Sequence, residues 1–210
     1  MSEKKLVIAI DGPSASGKGT LAKKVADHFN LAYLNTGAIY RLVALRILKR
    51  VIDPNHFDKE IASLTSDIKE KDLENEDLFS ERVGSVASII AKNKNLRKSV
   101  LNFQRDFVKK GKKEKNGCVL DGRDTTTVIC PDADYKFFIT ADVEIRAKRR
   151  HAQLPDVPFE EILSQLKKRD ESDLNRSDSP LKIAEDATII DNGNLSIEES
   201  LQRLLSMIDK

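Results

Sequence analysis

The sequence is poor in the residues that most sharply narrow a protein's chemistry. It has no tryptophan, three tyrosines and eight phenylalanines, only 5% aromatic residues in all. That leaves too few rings for the stacking platforms that hold single-stranded nucleic acid. Only two cysteines occur, Cys118 and Cys130, with no CxxC pair, and the three histidines are scattered. A disulfide scaffold and a zinc module are thereby excluded, and a reducing cytoplasm is the expected compartment. Charge of one sign is missing too: 36 basic against 34 acidic residues give a net +2, far from the excess of a dedicated polyanion binder. No apolar run approaches the roughly 20 residues of a membrane span. MSEKK passes straight into LVIAI, too short for a signal-peptide core. No membrane association, no nucleic-acid partner and a monomeric state are expected.

What the sequence does contain is alternation. Short apolar runs at 6–10, 32–34, 118–120, 135–139 and 187–190 predict strands. Between them, Leu21, Val25 and Phe29, then Leu96, Val100, Phe103 and Phe107, then Ile197, Leu201, Leu204 and Ile208 recur at helical spacing. Ser196 and Glu199 form a capping-box pattern before the last of these. Strands that are apolar throughout, alternating with helices, predict an α/β fold with a five-stranded parallel sheet covered by helices on both faces. Residues 53–80 are charged and poor in large apolar groups, and are expected to form an appended, mobile element.

The strongest chemical signal is Gly12-Pro13-Ser14-Ala15-Ser16-Gly17-Lys18-Gly19-Thr20, which follows the first strand and opens the first helix. Glycines at both ends let the backbone wrap a phosphate with its N–H groups inward, and the helix N-terminus adds attraction for anions. Lys18 is spaced to reach the terminal phosphates of a nucleotide. This is a P-loop, with Gly19 where most such loops have the magnesium-binding hydroxyl, which here comes one later at Thr20.

A second signal is Cys118-Val-Leu-Asp121-Gly122-Arg123-Asp124, where a strand ends in an acid, a glycine, a cation and another acid. Ligands of open parallel sheets gather over the strands' carboxyl ends, so Asp121 is expected to hold a magnesium-bound water. A census of arginines gives Arg41, Arg97, Arg123, Arg146, Arg149, Arg150, Arg169 and Arg176. Guanidinium groups suit the recognition and neutralisation of phosphates better than ammonium groups do.

Several separated segments share a pattern: Ile10–Thr20, Thr36-Gly37-Ala38-Ile39-Tyr40-Arg41, Asp121–Asp124 with Thr127-Val128 and Pro131–Asp134, and Arg146-Ala-Lys-Arg149-Arg150. Arg169-Asp170, Asp173, Asn175-Arg176, Ser179-Pro180-Leu181, Asp186-Ala187 and Ile190-Asp191 continue it. In order and spacing they resemble the bacterial-type cytidylate kinases nearly end to end. The resemblance implies a single P-loop nucleoside-monophosphate kinase domain over residues 1–210. Its core would comprise 1–36, 117–145 and 181–210, with a mobile acceptor-binding region at 37–110 and a short lid at 146–180. It implies transfer of the γ-phosphate of ATP, with Mg2+, to CMP or dCMP. Thr36, Tyr40, Arg41 and Arg123 would line the acceptor's phosphate and sugar, with Thr36 where the family more often has serine. Ser88, Arg97, Asp124 and Arg176 would meet cytosine, and Arg169 and Asp173 the ribose region. Thr20 and Asp121 would serve the metal. The catalytic set is Lys18, Arg123, Arg149, Arg150 and Arg169, with Arg149 or Arg150 over the transferring group.

Cytosine's exocyclic amine is a donor that a carboxylate such as Asp124 can accept, while its N3 and O2 are acceptors for arginine or serine. The sequence departs from the family pattern in three places: the segment between Arg41 and Ser88 is short, Thr125-Thr126 replaces an apolar-glycine pair, and the stretch after Arg150 is abbreviated. A reduced or missing small antiparallel sheet and a small lid are expected. The alternatives are another small-molecule P-loop kinase, such as an adenylate or shikimate kinase, with Asp11 arguable as a base for a hydroxyl acceptor. A nucleotide-dependent switch or nucleic-acid binder would rest on Lys109–Lys115, a basic run that reads as a solvated loop.

Overall fold

A computed structural model describes residues 5–208. Five strands, β1 (Leu6–Asp11), β2 (Ala32–Asn35), β3 (Gly117–Gly122), β4 (Tyr135–Thr140) and β5 (Thr188–Asp191), form one sheet in the order β2-β3-β1-β4-β5. The pairs β1–β3, β1–β4 and β4–β5 are parallel, with Ile10 opposite Asp121 and Thr140 opposite Asp191. This is the predicted parallel sheet, and the predicted strands match to within two residues at each end. Eight α-helices accompany it among the described residues: α1 (Lys18–His28), α2 (Thr36–Lys49), α3 (Ile61–Thr65), α4 (Glu81–Ile90), α5 (Lys94–Glu114), α6 (Val143–Gln153), α7 (Phe159–Asn175) and α8 (Ile197–Ile208).

The chain divides into two compact units, one of residues 35–107 and the other of the described residues on either side. In the sheet unit, side chains alternate across the strands. Ile8, Ile10, Val119, Phe137, Ile139 and Ile190 meet Leu21, Ala22, Val25 and Ala26 of α1 and Leu204, Leu205 and Ile208 of α8. Val7, Ala9, Cys118 and Leu120 are buried on the other face. There Gly111 of α5 lies so close to Cys118 that a side chain at 111 would come within 2.9 Å of its Cβ. The capping box before α8 is formed: Ser196 N–H donates to Glu199 (2.8 Å) and Glu199 N–H to Ser196 Oγ (3.1 Å).

In the 35–107 unit no strand is found among residues 36–107, in line with the expected absence of the small sheet. Residues 53–80 fold as α3 and three short 3₁₀ turns, pinned by Phe57, Ile61, Leu64 and Leu78, all buried. Leu78 packs with Ala38 and Leu42 of α2. Arg46 adds hydrogen bonds to the carbonyls of Leu64 (2.8 Å) and Ser66 (2.9 Å). Few apolar groups suffice here because those present are fully used.

Candidate active site

The glycine-rich segment turns between β1 and α1 as its composition requires. Ala15 (φ 57°) and Gly17 (φ 85°) are left-handed, and alternation of handedness along a short segment turns successive N–H groups into one concavity. Gly12 touches β4 so closely that a side chain there would run into the carbonyl of Ile139. We expect Gly12→Ala to cost about 2–4 kcal/mol of stability, read from urea unfolding; an unchanged midpoint would show that the loop's tight seat is not required.

Lys18 is the first residue of α1, and its Nζ donates to the carbonyl of Pro13 at 3.1 Å in a buried setting. Burial, then the Arg123 guanidinium, pull its pKa down to about 7, against the opposing pull of Asp121. Asp121 closes β3, is buried, and accepts from the Tyr33 hydroxyl at 2.8 Å. Its carboxyl is raised by burial, against Lys18 and the Tyr33 hydrogen bond. A side chain at Gly19 would stand 3.6 Å from Asp121 Oδ2 and from the Tyr33 hydroxyl, so the glycine keeps an atom-sized space beside that carboxylate. Thr20, one residue on, is exposed. Among the described residues no cluster of three acidic, histidine or cysteine side chains forms a ready-made metal cage.

Beyond β3 the acids and cations interlock. Arg123 Nε donates to Asp173 Oδ2 at 2.7 Å, Arg176 lies 3.8 Å from Asp173 Oδ1, and a second Arg176 nitrogen is 4.0 Å from Asp124. Burial alone would raise Asp173, but Arg123, Arg169 and Arg176 outweigh it and hold the carboxyl below its ordinary value. Asp124 is buried and leads a single π-helical turn, Thr125–Ile129. That turn explains the departure at 125–126. Thr125 donates through N–H (2.9 Å) and hydroxyl (2.7 Å) to one oxygen of Asp11, and Thr126 through N–H (2.8 Å) and hydroxyl (2.6 Å) to the other. Asp11 is fully buried and holds four hydrogen bonds.

The cation-rich α6 is divided in its duties. Arg146 is buried and makes a bidentate pair with Asp170 of α7 (2.6 and 3.2 Å), while also donating to the carbonyls of Ala141 (2.9 Å) and Ser14 (3.0 Å). Arg149 donates to Asn192 Oδ1 (3.0 Å) and to the backbone carbonyl of Asn192 (2.7 Å). Arg150 reaches Gln153 in an exposed bond (3.1 Å). Ala15 of the glycine-rich loop packs with Ala147, Ile162 and Leu166 between α6 and α7.

The 35–107 unit holds the other predicted residues. Thr36 opens α2 and is buried, as is Tyr40. Arg97 lies over the Tyr40 ring at 5.4 Å and donates to the carbonyl of Ala91 (3.1 Å). Arg41 donates to the carbonyl of Leu78 (2.7 Å), and Gly84 of α4 gives its guanidinium room, since a side chain there would come within 3.0 Å of it. Ser88, one turn along α4 from Gly84, is half-buried.

A glycine-rich loop with a buried lysine, an acid near the end of the neighbouring strand and an arginine–aspartate lattice thus lie in one unit. Residues 8–210 match the sequence model of the family described as cytidylate kinase. The chain belongs to the cytidylate kinase family. It is 43% identical to the cytidylate kinase of Bartonella tribocorum over 98% of this chain and 95% of that one. It is also 44% identical to that of Bartonella bacilliformis over 97% and 94%. A sugar kinase from Janibacter sp. shares the fold, with a TM-score of 0.53 at 14% identity over 98% of this chain and 95% of that one. Within this cytidylate kinase frame, sequence reading overlooked Tyr33 and Asn192. Asn192 precedes Gly193 and reads as a turn residue, yet it is buried and its amide donates to the carbonyl of Ser16 (2.8 Å).

Proposed function

We propose that the chain transfers the γ-phosphate of ATP to CMP or dCMP, giving ADP and CDP or dCDP. The observation that carries this reading is the coexistence in one unit of the lysine-bearing loop, Asp121 and the Arg123–Asp173–Arg176–Asp124 lattice. An acceptor phosphate oxygen attacks the γ-phosphorus, and the bond from that phosphorus to the β–γ bridging oxygen breaks, releasing ADP. The attacking oxygen is already an anion, so positioning and charge neutralisation carry the reaction and no strong base is needed. A hydroxyl acceptor, as in a shikimate kinase, is disfavoured because Asp11 spends both oxygens on Thr125 and Thr126.

In this reading residues 12–20 wrap the triphosphate, and Lys18 neutralises its terminal phosphates. The Thr20 hydroxyl and Asp121, the latter through water, suit magnesium, which favours one or two protein oxygens with water and phosphate completing its shell. When bound, it neutralises phosphate charge. By the resemblance to cytidylate kinases, the acceptor's phosphate and sugar are assigned to Arg123 and Arg169 of the sheet unit and to Thr36, Tyr40 and Arg41 of the 35–107 unit. Ser88, Arg97, Asp124 and Arg176 read cytosine, and Asp173 serves the ribose side through the arginines it pairs. Arg150, whose bond to Gln153 is exposed, and Arg149 are the two lid arginines proposed for the transferring group. Arg149 is committed to Asn192. Residues 37–110 act as the acceptor-binding region and 146–180 as the lid, which excludes water from the reaction. Cys118 and Cys130, both buried and neither in a disulfide, suit action in a reducing cytoplasm, and the balanced charge suits a monomer without a nucleic-acid partner.

The test is ADP release with CMP and with UMP for the native protein and for Asp124→Ala. The preference for CMP is expected to shrink by roughly 1–3 kcal/mol, the scale of one base-edge contact. An unaltered preference would remove Asp124 from base recognition.

A further inference from the structure

The glycine-rich loop is held from behind at alternate peptides. Ser14 O accepts from Arg146 (3.0 Å) and Ser16 O accepts from the Asn192 side-chain amide (2.8 Å). Asn192 is itself fixed on three sides. Its N–H donates to Thr140 O at the end of β4 (2.9 Å), its side-chain oxygen accepts from Arg149 (3.0 Å), and its carbonyl accepts from the same guanidinium (2.7 Å). Asn192 is 4% exposed and Arg146 5%; the Asn192–Ser16 bond is buried and the Arg146–Ser14 bond partly so, and a lost partner is most costly away from water.

A trans peptide points its C=O and the following N–H in opposite directions. Anchoring the carbonyls of Ser14 and Ser16 toward α6 and the β5 end therefore turns the N–H groups of Ala15 and Gly17 the other way. Both of these residues adopt left-handed backbone angles, φ 57° and 85°. An alanine in that region is unfavourable by itself, and the Arg146 bond to the preceding carbonyl is the local interaction that holds its peptide plane there.

We propose that Asn192, locked by Arg149 and acting alongside Arg146, is a positioning residue that sets the peptide planes of the glycine-rich loop so that its amides face the polyphosphate. This rests on the reading of the loop as the ATP site. It gives the cations of α6 a role beyond direct phosphate contact: Arg146 and Arg149 act on the nucleotide through the backbone of residues 14–17. Preorganised amides matter because their orientation need not be created when the anion arrives.

Asn192→Asp tests this with little change of shape. The carboxylate still accepts from Arg149 but has no donor for Ser16 O. Inorganic tripolyphosphate, a non-hydrolysable ATP analogue and CMP are each titrated by calorimetry with magnesium present. Affinity for tripolyphosphate and for the ATP analogue is expected to fall in the same proportion, about tenfold, as for one buried hydrogen bond left unmade. CMP affinity is expected to stay within about twofold, since additive effects hold for sites that share no partner. A loss confined to the ATP analogue would mean that Asn192 reads the adenosine part, and would overturn the proposal. So would unchanged tripolyphosphate binding. If Asn192→Asp fails to fold, Arg149→Lys decides: it keeps the charge but loses the fork that grips Asn192 at two points. Tripolyphosphate affinity should drop if Arg149 acts through Asn192 and persist if only its charge matters. Failure of the native protein to bind tripolyphosphate or the ATP analogue would instead strike at the proposed function, which separates the two ideas.

Discussion

Replacing Lys18 with methionine is expected to lower turnover by about 10²–10³-fold, the scale of removing one preorganised charge-stabilising group, without loss of fold. Lys18 is 8% exposed and donates only to the carbonyl of Pro13 among the described hydrogen bonds. Burial and Arg123 have already drawn its pKa down to about 7, so the cation is held at a cost in the nucleotide-free protein. In the unfolded chain it titrates at its ordinary, higher value, and the fold therefore gains stability as pH rises from about 7 toward that value. The methionine variant, which carries no cation to bury, should unfold at the same temperature as the native protein or a higher one. A matching collapse of stability and turnover would show that the lysine's role is structural. The same shift fixes a pH dependence. Triphosphate stabilises the charged amine, so above about pH 7 binding must take up a proton, and affinity for ATP should weaken as pH rises. Calorimetry in buffers of different ionisation enthalpy reads that uptake directly; none above pH 7.5 would place the amine's pKa elsewhere.

The second large effect is expected at Arg123. Its bond to Asp173 is 2.7 Å, and the two side chains are 16% and 13% exposed. Arg123→Met removes the guanidinium proposed to meet the acceptor phosphate and takes from Asp173 the shortest contact among the three arginines that hold its carboxyl ionised. Loss of kcat/KM for CMP by about 10³-fold is expected, accompanied by a partial loss of stability, because a half-buried carboxylate loses its shortest charge contact and keeps only Arg169 and Arg176. Adding Asp173→Asn to Arg123→Met should restore much of the stability and none of the activity. Recovery of activity in the double variant would argue that Arg123 serves only to neutralise Asp173.

Much of this molecule was legible in its sequence because its signals are local. Apolar runs bounded by glycine and acid gave the five strands, and the order of glycine, lysine and hydroxyl gave the loop before α1, since both depend on neighbours along the chain. What escaped notice depends on partners far away. Arg146 and Arg150 look alike in the sequence, yet one is spent on Asp170 and Ser14 and the other reaches Gln153 at the surface. Asn192 sits 176 positions from the carbonyl it anchors. The pairing of Thr125 and Thr126 with Asp11 spans more than a hundred residues and is made by a π-turn that has no compositional signature. Residues 53–80 resisted assignment for a different reason. Their turns are too short for periodicity to register: Phe57, Ile61 and Leu64 stand at helical spacing, yet only Ile61–Thr65 is α-helix and the elements around it are 3₁₀ turns of three to five residues.

The most direct measurement is ATP-dependent release of ADP by the purified protein across a panel of CMP, dCMP, UMP, AMP and shikimate with magnesium present. Fastest turnover on CMP or dCMP, with UMP behind and AMP and shikimate near background, is the predicted result. Best turnover on AMP or shikimate would contradict the assignment of Asp124, Arg97 and Arg176 to a cytosine ring.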